Sequence, residues 1–363
     1  MRLSVLSLLL ASASLTAAVP VRSQDAATSP YLTALQAQFD VVDLAQGDLD
    51  GDGKDETAVC FKVPDDDGLQ GGFAVLSSPG ALAQVQTQLF IRDGHCERVK
   101  IKGRKVGIQL VGGTLKKPKT LVFTYGKTLA FRSEDGHVLH GAEVTSSLAS
   151  SLDGHPNVAV LDGNARTSWA EAEQGTAIGE ELTLTFQAPF HVGYVAVVPG
   201  HGQSERSFRD HNRLHRGSFR AQTPADLGDA AAGIDFEALG LEAGGDRVRF
   251  TVENQPSVAF IKLDKANVSR LKLRIESVYL GNRKDDTHIA EVEPIPAFTV
   301  DELIQGKRPV PVAVKTTAPQ GDDQPASNLP PAPPPHVDDG SKSKSALDAL
   351  DKAENPLLSG DDW

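Results

Sequence analysis

The sequence predicts an all-β protein with two β-rich regions, and three observations support this fold class. First, short apolar stretches such as TAVCFKV, GGFAVL and VQTQLFI are rich in β-branched residues and are separated by turn residues. Second, the same rhythm continues after residue 146 in VAVL, ELTLTF, VGYVAVVP, SVAFIKL and SRLKLRIESVYL. Third, no amphipathic helices alternate with these stretches, which favours a β-sandwich or jelly roll.

The chain has 363 residues, a length that fits about two domains. Shifts in composition predict four segments: a signal peptide (1–24), a small β-rich domain (25–145), a jelly-roll domain (146–297) and a disordered tail (298–363). The first domain opens with SPYLTALQAQF, which predicts a helix capped by Ser29. Hairpins are predicted at KVPDDDGLQGG and LKKPK because both carry turn residues between apolar stretches.

The N-terminal 24 residues have the pattern of a Sec signal peptide. Arg2 precedes an apolar stretch from Leu3 to Leu10, and small residues follow. The predicted location is therefore periplasmic or secreted. A short membrane anchor is the alternative, which the short apolar stretch with its interrupting serines disfavours, and no later stretch predicts a membrane span. The first cysteine is Cys60, far from a cleavage point, so a lipoprotein is not predicted.

Charge and cysteine content narrow the function further. A net charge of -12 argues against nonspecific binding to nucleic acid, which requires a cationic surface. The only cysteines are Cys60 and Cys96, and export makes a disulfide between them the prediction, with two separate buried thiols as the alternative.

The tail is rich in Pro, Asp and Ser and includes PPAPPP. Such a segment cannot bury enough apolar surface to offset the entropy of ordering, so a solvated, disordered tail is predicted. A protein-binding motif in SALDALDKAENPLL is the alternative.

The segment DLDGDGKDETAV has the alternating aspartates of a calcium loop. An EF-hand also needs a glutamate at its twelfth position, where this chain has Val59 at the start of a predicted strand. The segment instead resembles the calcium loops of FG-GAP and VCBS repeats. That resemblance implies a set of Ca²⁺ ligands, namely Asp48, Asp50, Asp52, Glu56 and the carbonyl of Lys54. Only one copy is present, so a structural ion in a small β-domain is predicted rather than a propeller. An acidic turn without an ion is the alternative.

The second region carries DGNARTSW followed by IGEELTLTF, and later DDTHIAEVEPI. These stretches resemble the discoidin-like (galactose-binding-like) jelly roll that is attached to some bacterial NAD-glycohydrolases and is described as glycan-binding. The matching positions are Ser168-Trp169 with Glu171, Gly175 to Glu180, Gly200-His201 with Ser204, Asn212-Arg213, and Tyr279 through Asp286-Thr287 to Glu291. This chain departs from the family at His201, where an aromatic residue is frequent, and at Ala290, where serine is frequent.

A sugar needs an apolar surface for its C–H face and fixed polar groups for its hydroxyls. The resemblance and this chemistry together predict a glycan site with five ligand-binding residues: Trp169, His201, Arg206, Asn212 and Arg213. The alternatives are that Trp169 belongs to the core and that Asn212 and Arg213 brace a loop.

Discoidin-like domains often bind a structural calcium ion, and the resemblance implies a second Ca²⁺ site here. Its ligands would be Asp162, Asn164, the carbonyl of Thr167, and Glu291. The alternative is that Asp162 only hydrogen-bonds within its own turn.

The leading hypothesis is an exported, non-enzymatic protein that binds a glycan or cell-surface polysaccharide. One alternative is an extracytoplasmic scaffold or protein–protein adaptor. The other is a hydrolase that uses the region from His201 to His215, with Ser204, Ser207 and Asp210 nearby. The sequence disfavours the hydrolase, because it has neither HExxH nor G-x-S-x-G and shows no NAD-cleaving domain in residues 25–145.

Overall fold

A computed structural model gives the structure of the chain. It describes residues 29–77, 85–125, 138–139, 142–146, 155, 157–171, 175–231, 247–307 and 311–312. The predicted signal peptide, the predicted strand at KTLAFRS and most of the predicted tail lie outside these residues.

In the first region the described residues from 29 to 125 form one helix and seven strands. The helix α1 (Pro30–Gln38) is followed by β1 (Asp40–Gly47), β2 (Glu56–Lys62), β3 (Gly71–Leu76), β4 (Val85–Ile91), β5 (Gly94–Ile101), β6 (Lys105–Gly112) and β7 (Lys119–Thr124). Helix α1 begins as predicted, because the Ser29 side chain accepts the Tyr31 N–H and proline occupies the first helical position. Strands β2 and β3 pair antiparallel across KVPDDDGLQGG, and β6 and β7 pair antiparallel across LKKPK, so both predicted hairpins are confirmed.

The disulfide between Cys60 and Cys96 is also confirmed. It joins β2 to β5, and both half-cystines are buried in the core of the first region with Phe73, Val106 and Ile108. The bridge therefore connects two different sheets, β1 to β4 on one side and β5 to β7 on the other.

The second region supplies the remaining strands. They are β8 (Val138–Leu139), β9 (Ala142–Ser146), β10 (Trp169–Ala170), β11 (Glu181–Pro199), β12 (Asn212–Gln222), β13 (Arg247–Thr251), β14 (Ala259–Tyr279), β15 (Thr287–Phe298) and β16 (Pro311–Val312). Two short helices, α2 (Glu205–Asp210) and α3 (Pro224–Ala231), flank β12. The described residues thus form the predicted all-β architecture, with a β-sandwich in the second region.

Three details differ from the predicted strands. VAVL lies in a 3-10 helix, Asn157–Leu161. ELTLTF and VGYVAVVP are parts of one strand, β11, and SVAFIKL and SRLKLRIESVYL are parts of β14. In both strands the pairing register shifts where a break was predicted, so the chain passes through bulges instead of turning back.

The two regions are joined through β15. Strand β15 pairs antiparallel with β11 along most of its length, and its last residues Ala297 and Phe298 pair parallel with β4. A shared apolar core lies beside this junction. It combines Phe39, Phe61 and Phe90 from the first region with Tyr194 and Phe260 from the second.

The predicted boundaries at residues 145 and 297 fall inside structural elements. Strand β9 pairs with β11, so it belongs to the second region although it begins at Ala142. Helix α4 (Val300–Ile304) follows β15 and buries Val300 and Leu303 in the core of the first region. The ordered fold therefore continues past the start of the predicted tail.

Candidate functional site

Four histidines meet at one end of the second region, and we call His155, His201, His211 and His288 the histidine cluster. The ring centroids of His211 and His288 are 4.3 Å apart, and those of His155 and His288 are 4.7 Å apart. The ring of His201 stacks on His288 at 4.9 Å with an interplanar angle of 9°. His288 is fully buried, whereas His201 and His211 are partly exposed, so the cluster extends from the interior to the surface.

These residues meet because β10, β12 and the end of β11 converge at the start of β15. His288 pairs with Ala170 of β10 on one side and, in parallel, with Arg213 of β12 on the other. The end of β11 approaches the same point, where Gly200 bridges to Ile289. Gly200 has a φ of +78°, and a Cβ there would lie 2.9 Å from the Phe208 ring, so glycine permits the turn that brings His201 to the cluster.

Asp286 and Ser168 hold the rings in place. One oxygen of Asp286 lies 2.9 Å from His211 Nδ1 and the other lies 2.9 Å from His288 Nε2. The Ser168 hydroxyl lies 2.9 Å from His288 Nδ1, and His155 Nδ1 lies 3.0 Å from the Ser168 carbonyl oxygen. An ionised carboxylate and a carbonyl only accept, so His211 Nδ1, His288 Nε2 and His155 Nδ1 carry the protons. His288 Nδ1 then accepts from Ser168.

At His201 and His288 the pKa values favour neutral imidazoles beside an ionised Asp286. Burial lowers the pKa of His288 to about 3 and that of His201 to about 4, in His201 with the help of neighbouring His155 and His211. Burial alone would raise the pKa of Asp286, but the hydrogen bonds from His288 and His211 outweigh it and lower that pKa. His201 Nδ1 is buried and has no hydrogen-bond partner among the described residues.

Glu171 lies next to the cluster and is also buried. Each of its carboxyl oxygens lies 2.7 Å from the backbone nitrogen of Thr287, the residue before His288. Burial raises the pKa of Glu171 to about 7, against the lowering effect of the Thr287 N–H, and the nearby Glu180 adds to the rise. The glutamate of the sequence pattern SW-x-E is Glu171, and it supports the start of β15 by accepting the Thr287 N–H.

The predicted glycan residues fall into three different environments. Trp169 is fully buried among Val160, Leu182 and other core residues, so its ring has no face for a ligand and we leave it out of the candidate site. Arg206 lies on α2 with its side chain 73% exposed, 3.5 Å from Asp210. His201 belongs to the histidine cluster.

Asn212 and Arg213 are buried and brace the loop that precedes β15. Asn212 accepts the Gly281 N–H at 2.7 Å and donates to the Asp285 carbonyl. Arg213 donates to Asn254 Oδ1 at 2.6 Å and to the carbonyls of His211 and Leu280. These contacts correspond to the bracing alternative, in which both residues hold the loop in place.

The serines and Asp210 of the hydrolase alternative make structural contacts in and around α2. The Ser204 hydroxyl caps α2 by accepting the Ser207 N–H, and Asp210 pairs with Arg206 and Arg283. His215 packs on Tyr279 instead of joining the histidine cluster. Ser168, His288 and Asp286 do form a hydrogen-bonded series, in which Ser168 and His288 are both buried.

The first predicted calcium loop is well formed. One oxygen from each of Asp48, Asp50 and Glu56 lies within 4.8 Å of the others. Asp48 accepts the N–H groups of Gly51 and Gly53, both of which have positive φ, so the loop wraps round its carboxylates. Glu56 is buried, and burial together with Asp50 and Asp52 raises its pKa. Concentrated carboxylate oxygens of this kind fit a hard cation.

The second predicted calcium set is less convergent. Asp162 accepts the Asn164 N–H at 2.8 Å and the Thr167 hydroxyl at 2.6 Å, which corresponds to the turn-bracing alternative. Glu291 is buried on β15. It lines the same cavity as Gly163 and Ala165, so the loop and the carboxylate do approach each other.

Sequence reasoning missed the histidine cluster as a unit. The sequence motif includes Asp286 and the hydrolase alternative includes His211, but no prediction assigns a function to His155 or His288. The available signal was the alternation in DDTHIAEV, where Asp286 and His288 are two residues apart and so share a strand face. Nothing in the local sequence marks His155.

No helix among the described residues is long and apolar enough to cross a membrane.

Comparison with known families gives one match. Residues 133–294 match the model of the NAD glycohydrolase translocation F5/8 type C domain. This match agrees with the resemblance of the second region's sequence to the discoidin-like class. The match begins at residue 133 and does not include the loop at 48–56. The FG-GAP/VCBS resemblance of that loop stays a prediction. A comparison with curated proteins found no match.

Several solved structures resemble the same region. The family 32 carbohydrate-binding module of Clostridium perfringens NanJ, solved with galactose, is 13% identical, with a TM-score of 0.30 over 44% of this chain and 98% of that chain. The family 32 module of Streptococcus pneumoniae EndoD is 12% identical, with a TM-score of 0.33 over 44% of this chain and 99% of that one. The lectin domain of lectinolysin, complexed with Lewis B antigen, is 14% identical, with a TM-score of 0.30 over 44% and 95%.

Proposed function

We propose that the F5/8 type C domain binds carbohydrate at the loops around the histidine cluster, and that the chain is an exported, non-enzymatic binding protein. The observation that carries this proposal is the surface-open side of the cluster. There the partly exposed His211 directly follows α2, the helix that carries the exposed guanidinium of Arg206.

The chemistry of these groups suits sugar hydroxyls. A neutral imidazole offers one donor and one acceptor nitrogen, and a hydroxyl can complement either. Arg206 adds donors in a planar fork. Leu280, which is 69% exposed and lies on the loop held by Arg213, offers an apolar contact for the C–H face of a sugar in place of Trp169.

The bracing residues support binding indirectly. Asn212 and Arg213 fix the loop from residue 280 to 285 through buried hydrogen bonds before any ligand arrives. A loop that is already ordered loses less entropy on binding, so affinity is higher than for a mobile loop.

A glycan array probed with the full chain tests the proposal. We expect binding to at least one glycan class, weakened at least about tenfold, or 1.4 kcal/mol, by His201→Ala and by Arg206→Ala. Arg249→Ala is the matched control, because Arg249 is also an exposed arginine, 70% exposed, but lies on the sheet.

Absence of binding to every glycan by correctly folded protein would refute carbohydrate recognition and favour the scaffold alternative. Equal loss in the Arg249 variant would instead show that nonspecific charge carries the binding.

We propose in addition that Ca²⁺ stabilises the fold at the loop of Asp48, Asp50, Asp52, Lys54 and Glu56. The convergent carboxylate oxygens and the buried Glu56 support this site. We propose a second ion at Asp162, Asn164, Thr167 and Glu291, because Glu291 lines the same cavity as Gly163 and Ala165.

Calorimetric titration of calcium into the chelator-treated chain separates the two sites. We expect two ions per wild-type chain, and one in Asp50→Asn and in Glu291→Gln. Calcium should raise the melting temperature less in Asp50→Asn than in the wild type, because the ion stabilises only the state that binds it. Asp67→Asn, in a different turn, is the control. Wild-type protein without any calcium uptake would rule out both sites.

Export is supported by the disulfide, since such bridges persist in oxidising compartments. Fractionation of cells that express the full chain, followed by N-terminal sequencing, would locate the protein and any cleavage. A cytoplasmic chain that keeps its N terminus would contradict export.

A further inference from the structure

We propose that His201, His211 and His288 form a binding site for a divalent transition-metal ion, with zinc as the ion that fits best. One nitrogen from each ring lies within 4.8 Å of the others. The three residues come from three separate segments, the loop after β11, the start of β12 and the start of β15, so strand pairing and not local sequence brings them together.

The donor set selects the type of metal. Imidazole nitrogens suit zinc, copper and nickel, whereas calcium and magnesium prefer oxygen ligands. A tetrahedral zinc ion with Zn–N bonds of roughly 2.0–2.1 Å places its ligand nitrogens about 3.3 Å apart. The rings of His201 and His288 lie nearly parallel, at 9°, so the His201 ring must rotate out of this stack before a nitrogen of each ring can point at one ion.

Asp286 provides the support that metal-binding histidines usually have. It holds His211 through Nδ1, so the unprotonated Nε2 of that ring is available to the ion. A carboxylate on the far nitrogen fixes the ring orientation and raises the basicity of the ligand. His288 has Asp286 on one nitrogen and Ser168 on the other. Because Nε2 carries the proton, coordination through Nδ1 replaces the single contact with the Ser168 hydroxyl.

His201 supplies an independent observation. Its Nδ1 atom is buried and lacks a hydrogen-bond partner among the described residues. A buried polar atom without a partner costs about 1–3 kcal/mol, and such atoms in native proteins often mark an ion or water position. A metal ion in the cluster gives the ring of His201 the partner that the protein alone does not provide.

The site is distinct from the two proposed calcium sites, which consist of oxygen donors. The proposed glycan site includes the same rings of His201 and His211, so the metal measurements are made without sugar. A chain that binds glycans without metal, or metal without glycans, would separate the two proposals.

Zinc titration of the full chain after chelator treatment tests the inference. Calorimetry and elemental analysis after dialysis should show one zinc ion per chain. His211→Ala should weaken zinc binding more than about 100-fold, beyond the range typical when only a partner of a ligand is lost, and Asp286→Asn should weaken it about 10–100-fold. His215→Ala is the matched control, because His215 lies four residues away and packs on Tyr279 outside the cluster.

Cobalt gives a second measurement that does not depend on stability. Co²⁺ in a tetrahedral nitrogen site should produce visible absorption bands that are absent in folded His211→Ala and present in His215→Ala. If His211→Ala does not fold, His201→Gln replaces it, because His201 makes no hydrogen bond through Nδ1. Wild-type protein that takes up no zinc, or equal losses in the His215 and His211 variants, would overturn the proposal.

Discussion

At the scale of single residues, Glu171 is the group whose protonation should matter most for stability. It is 1% exposed, and burial raises its pKa from the usual value of 4.5 to about 7. The folded protein therefore holds a proton that the unfolded chain releases, so this stability is present below pH 4.5 and is lost as the pH rises through 7.

Glu171→Gln should remove that pH dependence. At pH 5 the variant should have nearly wild-type stability, because glutamine still accepts the Thr287 N–H. At pH 8 it should be more stable by about 1–3 kcal/mol, since the wild type carries a buried charge. Urea unfolding at both pH values measures the difference, with the exposed Glu253→Gln as control. A destabilised variant at pH 8 would contradict the assigned cause.

The residues of the second region also show what sequence can predict at this scale. The motif positions Ser168, Trp169 and Asn212 were recognised, and the structure places all three near the start of β15. Their orientation was not predictable. Trp169 points to the core and Asn212 points to a loop backbone, because tertiary pairing decides which face of a short strand is covered.

At the scale of elements, α4 links the end of the jelly roll to the first region. Its N terminus carries a capping box between Thr299 and Glu302, and Glu302 also contacts Arg92 at 2.8 Å. Burial alone would raise the pKa of Glu302, but hydrogen bonds from the Thr299 backbone, Arg92 and Lys307 lower it to about 2.

Glu302→Gln should therefore destabilise the protein in a pH-dependent manner. The folded pKa lies below the usual value of 4.5, so the contribution of the carboxylate is present above pH 4.5 and is lost as the pH falls towards 2. The variant should be less stable than the wild type at pH 7 and approach it at pH 3. Thermal unfolding at both pH values, with the exposed Glu205→Gln for comparison, measures this. A constant difference across that range would exclude the ionic contribution.

The strands show where local signals fail. The prediction split β11 near Pro189 and β14 near Asp264, because proline and aspartate usually mark turns. In the structure Asp264 and Asn267 do adopt positive φ values of 45° and 59°, as turn residues would. The strand nevertheless continues, because β11 pairs with the segments of β14 before and after the irregularity.

At the scale of the whole molecule, the two β-regions share an aromatic core. Phe90 of β4 lies at its centre, with ring centroids 4.4 Å from Tyr194 and 5.3 Å from Phe61. The sequence does not indicate this contact. Its composition predicts two separate domains, and β4 is far in sequence from β15.

Phe90→Ala should lower the stability of both regions together. A buried phenylalanine replaced by alanine costs about 3–5 kcal/mol, and the cavity would lie between the regions. Calorimetry of the full chain should show one unfolding transition that moves to lower temperature. Val122→Ala, at a position 55% exposed, is the control. Two transitions, of which only one shifts, would show that the regions unfold independently.

Strand β15 connects the histidine cluster with the first region. Its twelve residues extend about 40 Å, with His288 near one end and Phe298 at the other beside β4. All but its last residue are buried, so the strand has no freedom to bend away from its neighbours. An ion or sugar bound at the histidine cluster would therefore restrain the same strand that pairs with β4 of the first region. Slower amide hydrogen exchange at Ala297 on ligand addition would measure that effect.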